Sequence, residues 1–394
     1  MKQTPFGNRL FLVFLLFAST LLWGCAKQPL PTLIVEHEVP GGTRYMPKVF
    51  FDPMTHSGTV QLSEKDALKV LGTLPTQMQK TSWDEIDFAL EQSYLYASKR
   101  PQSGVALNLP GLRATFGDIT KTLASLKRDI PRLKKQPQIL ASEYTWYRVG
   151  PDFGITGYYE PTLRASRTRS SKYYYPIYRK PSDLKRGKRY YTRHQIDRQG
   201  ALAGKNLEIA WVDSEIDAFF LQIQGSGRLL FEDGSVTHVL YGAKNNRGYT
   251  AIGRKMAERG LIDKDKVSMP LIRQYLDTHP AEAPEIFDLN KSYVFFYESS
   301  KGPVGATARP LTPWVTVATD KRVLPHGTPM MFVTGLPDTQ GTHYRPFTGL
   351  MLSQDAGGAI KRNRIDVFFG PGEEAEFLAG HLDTKGAVYV LLKR

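Results

Sequence analysis

The sequence predicts an α+β protein whose functional parts are mostly β, and three observations lead there. Residues 63–130 follow a helical period with capping signals. Residues 150–240 break into short β-branched and aromatic runs separated by Gly, Pro and Asp turns. From 293 to the C-terminus the short strands return.

The first element is a leader. Lys2 and Arg9 precede an apolar run at 10–23, shorter than the roughly 20 residues needed to span a bilayer, so it reads as a secretory signal. It ends at Gly24-Cys25, and Cys25 is the single cysteine of the chain. That arrangement is similar to the lipobox of bacterial lipoproteins. The similarity implies cleavage after residue 24, lipidation of Cys25 and, because residue 26 is Ala rather than Asp, an outer-membrane location facing the periplasm. A signal peptide that merely contains a Cys is the alternative. With one Cys there is no internal disulfide and no thiolate metal site.

The processed chain, about 370 residues, suffices for one large or two medium domains. Net charge is +14, or +12 once Lys2 and Arg9 leave, so an anionic partner is expected. For an exported chain that means cell-wall polymer or lipid headgroups rather than nucleic acid. The basic cluster at 164–198 also fits a solvated surface.

Residues 26–60 read as a linker. Helices are predicted after Ser63, after the capping box Ser82-Trp83-Asp84-Glu85, and over 118–129. Strands are predicted at 157–159, 173–178, 207–212, 219–223 and 236–241, then helices at 250–259 and after Ser268. The last strands are predicted at 293–297, 315–318, 329–333, 349–352, 365–369 and 387–392.

Several chemistries find no support. The eight His are scattered with no metal-binding spacing, and neither a metal nor a cofactor is expected. Neither a G-x-S-x-G elbow nor a phosphate-binding loop is present. Asp355-Ala356-Gly357 suggests an aspartic-protease turn, but the Asp-Thr pairs at 277, 338 and 383 lack the Gly that a second matching loop needs. Carboxylates and Gly-rich turns remain. Asp355 and Asp366 bracket a glycine-rich basic turn in QDAGGAIKRNRIDVFFG, 354–370. Gly157-Tyr158-Tyr159-Glu160-Pro161 offers adjacent Tyr rings. Gln222 to Arg228 reads as a hairpin with Gln222 and Gln224 on one face beside Ser226, and Lys244 to Thr250 gathers donors ahead of a helix.

In order, these segments resemble the membrane-bound lytic murein transglycosylase A family. The resemblance runs from 156–161 through 222–228, 241–254, 290–296, 302–306, 311–313, Asp320 and 324–329 to 354–370, covering roughly 150–390. Lys291 stands where the family usually has Pro, Arg362 where it usually has Gly, and 314–320 is a divergent strand. The resemblance implies a double-psi β-barrel with a second small β-barrel inserted. The main domain would be 61–161 plus 299–394 and the insert 162–298, preceded by a signal at 1–24 and a lipidated linker at 25–60. It implies cleavage of peptidoglycan glycan strands without water, forming 1,6-anhydro-N-acetylmuramic acid. Asp366 would be the single acid/base, set among Ile365, Val367, Phe368 and Phe369 that could raise its pKa. Asp355 would orient substrate, Asp320 would be structural, and Thr156, Tyr158, Gln224 and Ser226 would line the groove. Cell-wall synthesis or division proteins are candidate partners. A non-catalytic wall-binding lipoprotein and a hydrolysing muramidase on the same fold are the alternatives.

Overall fold

Two long helices form where the sequence caps them. α1 (Trp83–Ala97) begins at Ser82, which exchanges capping-box bonds with Glu85, and α2 (Phe116–Leu133) begins at Thr115, which does the same with Asp118. Their apolar faces (Ile86, Leu90, Ile119, Leu123, Leu126) share one core with Met331, Leu350 and Tyr389 of a β-barrel. Between the helices, Val105–Leu109 and Leu112–Thr115 pair as an antiparallel hairpin that the helical reading of 63–130 missed. Pro110-Gly111, with Gly111 at φ +85°, is the turn that interrupts the helical period.

In this computed structural model, residues 34–39, 42–47, 54–72, 74–264, 266–338 and 344–394 are described, all within the compact unit Ile34–Arg394. The signal sequence and Cys25 lie outside the described residues. Ile34–Val39 and Gly42–Pro47, expected to be linker, pair as an antiparallel hairpin.

The barrel has six strands: β1 (Tyr144–Glu160), β2 (Thr316–Ala318), β3 (Pro329–Pro337), β4 (Tyr344–Asp355), β5 (Arg364–Pro371) and β6 (Asp383–Lys393). Their order is β5-β2-β4-β3-β6-β1, and β1 pairs back onto β5 to close the ring, with Gly58–Gln61 added along β1. Two pairings are parallel, β5 with β1 and β2 with β4. The interior is filled by Phe153, Ile155, Val317, Met330, Phe332, Ile365 and Val388. Strands buried on both sides explain why 329–333 and 387–391 read as continuous apolar runs.

A second sheet begins almost at once, since only Pro161 separates β1 from the strand Thr162–Ser166. Its order runs Val294–Ser299, Val236–Lys244, Ser226–Phe231, Thr162–Ser166, Glu208–Val212, Tyr175–Tyr178. A bridge between Arg179 and Phe296 joins its two edges. The predicted strand at 219–223 is instead part of helix α3 (Glu215–Gln224). Ser214 caps its start and Gly225, at φ +83°, ends it. The buried run Ala218-Phe219-Phe220-Leu221 looked like a strand because a short apolar run has no period of its own.

Candidate active site

Parallel pairing sets Thr156 of β1 beside Asp366 of β5. Residues two apart on a strand share a face, so Tyr158 projects with Thr156. On its other side Asp366 adjoins Ala318 of β2, and Ala318 in turn adjoins Asp355 of β4. Neighbouring strands lie about 4.8 Å apart, which places the two Asp Cα atoms roughly 10 Å from each other.

The hydrogen bonds divide unequally between the two acids. Thr156 Oγ1 donates to Asp366 Oδ1 at 2.7 Å, and Asp366 Oδ2 has no protein partner among the described residues. Both oxygens of Asp355 are engaged: the Ala306 N–H donates to Oδ1 at 2.9 Å, and the Tyr158 hydroxyl donates to Oδ2 at 2.8 Å. The Tyr158 ring is held by Phe368, with centroids 5.1 Å apart.

Two glycines make this geometry possible. A Cβ at Gly157 would lie 2.3 Å from the Phe369 ring, so only Gly fits between Thr156 and Tyr158. A Cβ at Gly305 would lie 2.6 Å from the Gln354 carbonyl, closing off the approach that delivers the Ala306 N–H.

Burial pushes Asp366 from the usual 3.8 up to about 6, overriding the Thr156 bond and the Arg364 cation; the nearby Asp355 charge acts in the same direction. Burial raises Asp355 as well, but donors from Tyr158, Ala356 and Ala306 oppose it. Burial and the Asp355 charge hold the Tyr158 phenol well above its usual range, so it stays a donor.

Asp320 stands apart from this pair. Its carboxylate binds the Arg322 guanidinium, with Nη2 to Oδ2 at 2.6 Å, and accepts the Arg362 N–H at 2.9 Å. The Arg322 bond holds its carboxyl far below the usual carboxylate range. Arg362 adopts a left-handed backbone at φ +54°, which is the conformation a glycine takes without strain. Asp320 therefore pins the turn that links Asp355 to Asp366.

Gln224 and Gln222 do not share a face as the strand reading required. Gln224 ends α3, and its Oε1 accepts the Tyr159 N–H at 3.4 Å, next to Tyr158. Gln222 is buried, accepting from Arg193 Nη2 at 2.8 Å and from the Val294 N–H at 3.2 Å. Ser226 opens the following strand opposite Leu240. Neither Gln224 nor Ser226 bonds to Asp355 or Asp366. Sequence reasoning overlooked Arg364, whose Nη2 lies 3.4 Å from Thr156 Oγ1. The signal was there, because Arg364 precedes Asp366 by two on one strand and so shares its face.

Comparison with known proteins points to one family. Residues 154–297 match the family described as the MltA specific insert domain, and residues 315–392 match the 3D domain. The chain is 36% identical over 308 residues to membrane-bound lytic murein transglycosylase A of Escherichia coli K12, covering 71% of this chain and 83% of that one. The Vibrio cholerae counterpart is 36% identical over 245 residues, covering 60% of this chain and 64% of that one. Among solved structures, E. coli MltA with bound chitohexaose superposes with a TM-score of 0.69 at 30% identity, covering 87% of this chain and 97% of that one. The membrane-bound lytic murein transglycosylase from Agrobacterium tumefaciens gives 0.71 at 29%, covering 86% and 98%. A closed acid-bearing barrel, a second sheet entered straight from β1, and these relatives lead to one conclusion: the chain belongs to the membrane-bound lytic murein transglycosylase A family.

Proposed function

We propose that this protein is a lytic transglycosylase that cleaves the β-1,4 bond between N-acetylmuramic acid and N-acetylglucosamine in peptidoglycan, with Asp366 as its single acid and base. Membership in a family whose members are named lytic murein transglycosylases supports the enzyme class. The observation that carries the assignment is the unequal pair of acids. Asp366 keeps a proton up to about pH 6 and has a free oxygen, whereas both oxygens of Asp355 are occupied by protein donors.

The steps follow from that asymmetry. Protonated Asp366 donates to the glycosidic oxygen, which leaves as the 4-hydroxyl of N-acetylglucosamine. The C1–O bond breaks and positive charge develops on the muramic ring. Its own 6-hydroxyl attacks C1, and the Asp366 carboxylate takes the hydroxyl proton. The product is 1,6-anhydro-N-acetylmuramic acid, no water is consumed, and the acid is regenerated. A hydrolase would need a second free carboxylate to activate water or form a covalent intermediate. Asp355, tied to Tyr158 and Ala306, instead orients substrate and favours the developing cation. Thr156, Tyr158, Gln224 and Ser226 line the groove in this reading, and Asp320 is structural.

The division into a main domain and an insert at 162–298 belongs to the same proposal. So does anchoring through lipidated Cys25 at the outer membrane. Relatives are named membrane-bound, and no helix among the described residues is long and apolar enough to cross a membrane.

The test uses protein lacking residues 1–25, incubated with purified peptidoglycan, with products read by mass spectrometry beside Asp366→Asn. Anhydro-ended muropeptides, one water lighter than reducing ends and absent with the variant, are expected. Reducing-end products would make the protein a muramidase, and no release would leave a wall-binding protein.

A further inference from the structure

Away from the acids, two buried asparagines bolt three loops together. Asn245 is 0% exposed; its Nδ2 donates to the carbonyls of Tyr191 and Lys291, both at 2.8 Å, and its Oδ1 accepts from the N–H groups of Tyr293 at 2.9 Å and Arg247 at 3.3 Å. Asn290 is 1% exposed; its Oδ1 accepts from the N–H groups of Thr250 at 3.1 Å and Ser292 at 3.2 Å. Segments 189–191, 245–250 and 290–293 are therefore fixed relative to one another by neutral side-chain amides.

These loops frame a cavity of about 510 Å³ lined by Arg189, Arg247, Lys255, Lys291, Tyr249 and Thr250, with no carboxylate in its wall. Glu258 takes the Lys255 ammonium at 2.5 Å. Arg247 donates Nε to the Tyr190 carbonyl at 2.7 Å, which leaves its outer nitrogens available. Arg189 and Lys291 have no acidic partner among the described residues. Cations gathered on a rigid neutral frame repel one another, and an anion relieves that repulsion. A chain of interactions leads from the cavity wall toward the acids. Tyr249 lies within electrostatic reach of Arg364, and the Arg364 guanidinium reaches Thr156 at 3.4 Å.

We propose that this cavity is a carboxylate-binding subsite that holds the peptide stem of a peptidoglycan strand while its sugars lie across Asp366. The inference rests on the transglycosylase reading and deepens it. The sugar rings of that polymer are neutral, and the stems bring free carboxylates at a short distance from the scissile bond. An Arg fork matches a carboxylate with two parallel N–H bonds, and lysines add point charge around it.

The test compares kcat and KM on stem-bearing strands with amidase-stripped strands, which keep only lactyl carboxylates. It uses wild-type protein and the double variant Arg189→Ala/Lys291→Ala. Both positions are exposed, so the fold should persist, and circular dichroism checks that. Wild type is expected to prefer stem-bearing strands through a lower KM. The double variant should lose about tenfold of that preference, as expected for one charge-assisted bond, with kcat little changed. Equal losses on both substrates would overturn the stem assignment, as would a wild type without preference. If wild type cleaves neither substrate, the transglycosylase reading fails, and the subsite is still decided by calorimetric titration of a free stem tetrapeptide against inorganic phosphate. Peptide binding that the double variant abolishes supports the subsite, and binding of phosphate in place of peptide overturns it.

Discussion

The barrel face at Asp366 and the loop cluster at Asn245 hold opposite charges by the same means. On the barrel, neutral donors (Thr156, Tyr158 and the Ala306 N–H) position two carboxylates. In the loop cluster, neutral amides position a ring of cations. Among the described residues neither the two acids nor Arg189, Arg247 and Lys291 take an internal ion pair, although Lys255 pairs with Glu258, whereas Asp320, which pins a turn, takes one with Arg322. A charge fixed by neutral groups is still free to act on a ligand, and a charge paired inside the protein is not.

The largest expected effect is Asp366→Asn, which should lower kcat by about 10³-fold as a lost general acid. Because burial raises this pKa, the fold binds the proton more tightly than the unfolded chain does. The Asp366 contribution to stability is therefore greatest at acid pH and declines as pH rises from the usual 3.8 through about 6. The variant should accordingly melt no lower than wild type at mildly alkaline pH, and a scanning-calorimetry drop there would contradict the burial argument.

Asn245→Ala should come next, destabilising by about 3 kcal/mol because it leaves buried backbone groups of three loops unpaired. Urea unfolding measures it. Tyr158→Phe removes a bond to a carboxylate and should lower kcat about 30-fold with the fold intact. Steady-state kinetics beside a melting curve separate the two. A pH profile is the following test: kcat/KM should fall about tenfold per pH unit above pH 6, where Asp366 loses its proton. The smallest effect belongs to Arg362→Gly. It relieves a left-handed residue at φ +54° but adds unfolded-state entropy, for a net gain of about 0.5 kcal/mol in unfolding free energy.

The family resemblance named Thr156, Tyr158, Asp355 and Asp366, and strand alternation adds which of the site's side chains share a face. Thr156 and Tyr158 are two apart, as are Arg364 and Asp366, and alternation alone assigns each pair to one face. The helix caps at Ser82 and Ser268 were equally local and equally readable. The hairpin at 105–115 and helix α3 were not, because their apolar residues gain their meaning from what they pack against. Helix Glu373–His381 was missed as well, since its start at Gly372 offers no side-chain cap.

By itself the sequence determined strand alternation, helix starts and the charge balance, because these are read from composition and from neighbours a few positions away. Only the tertiary structure decided that Thr156 meets Asp366 across 210 positions, that Asp355 loses both oxygens to protein donors, and that Arg189, Arg247 and Lys291 line one cavity. Closing the barrel sets the register of β1 against β5, and that register is fixed by the packing of the whole core rather than by any local period.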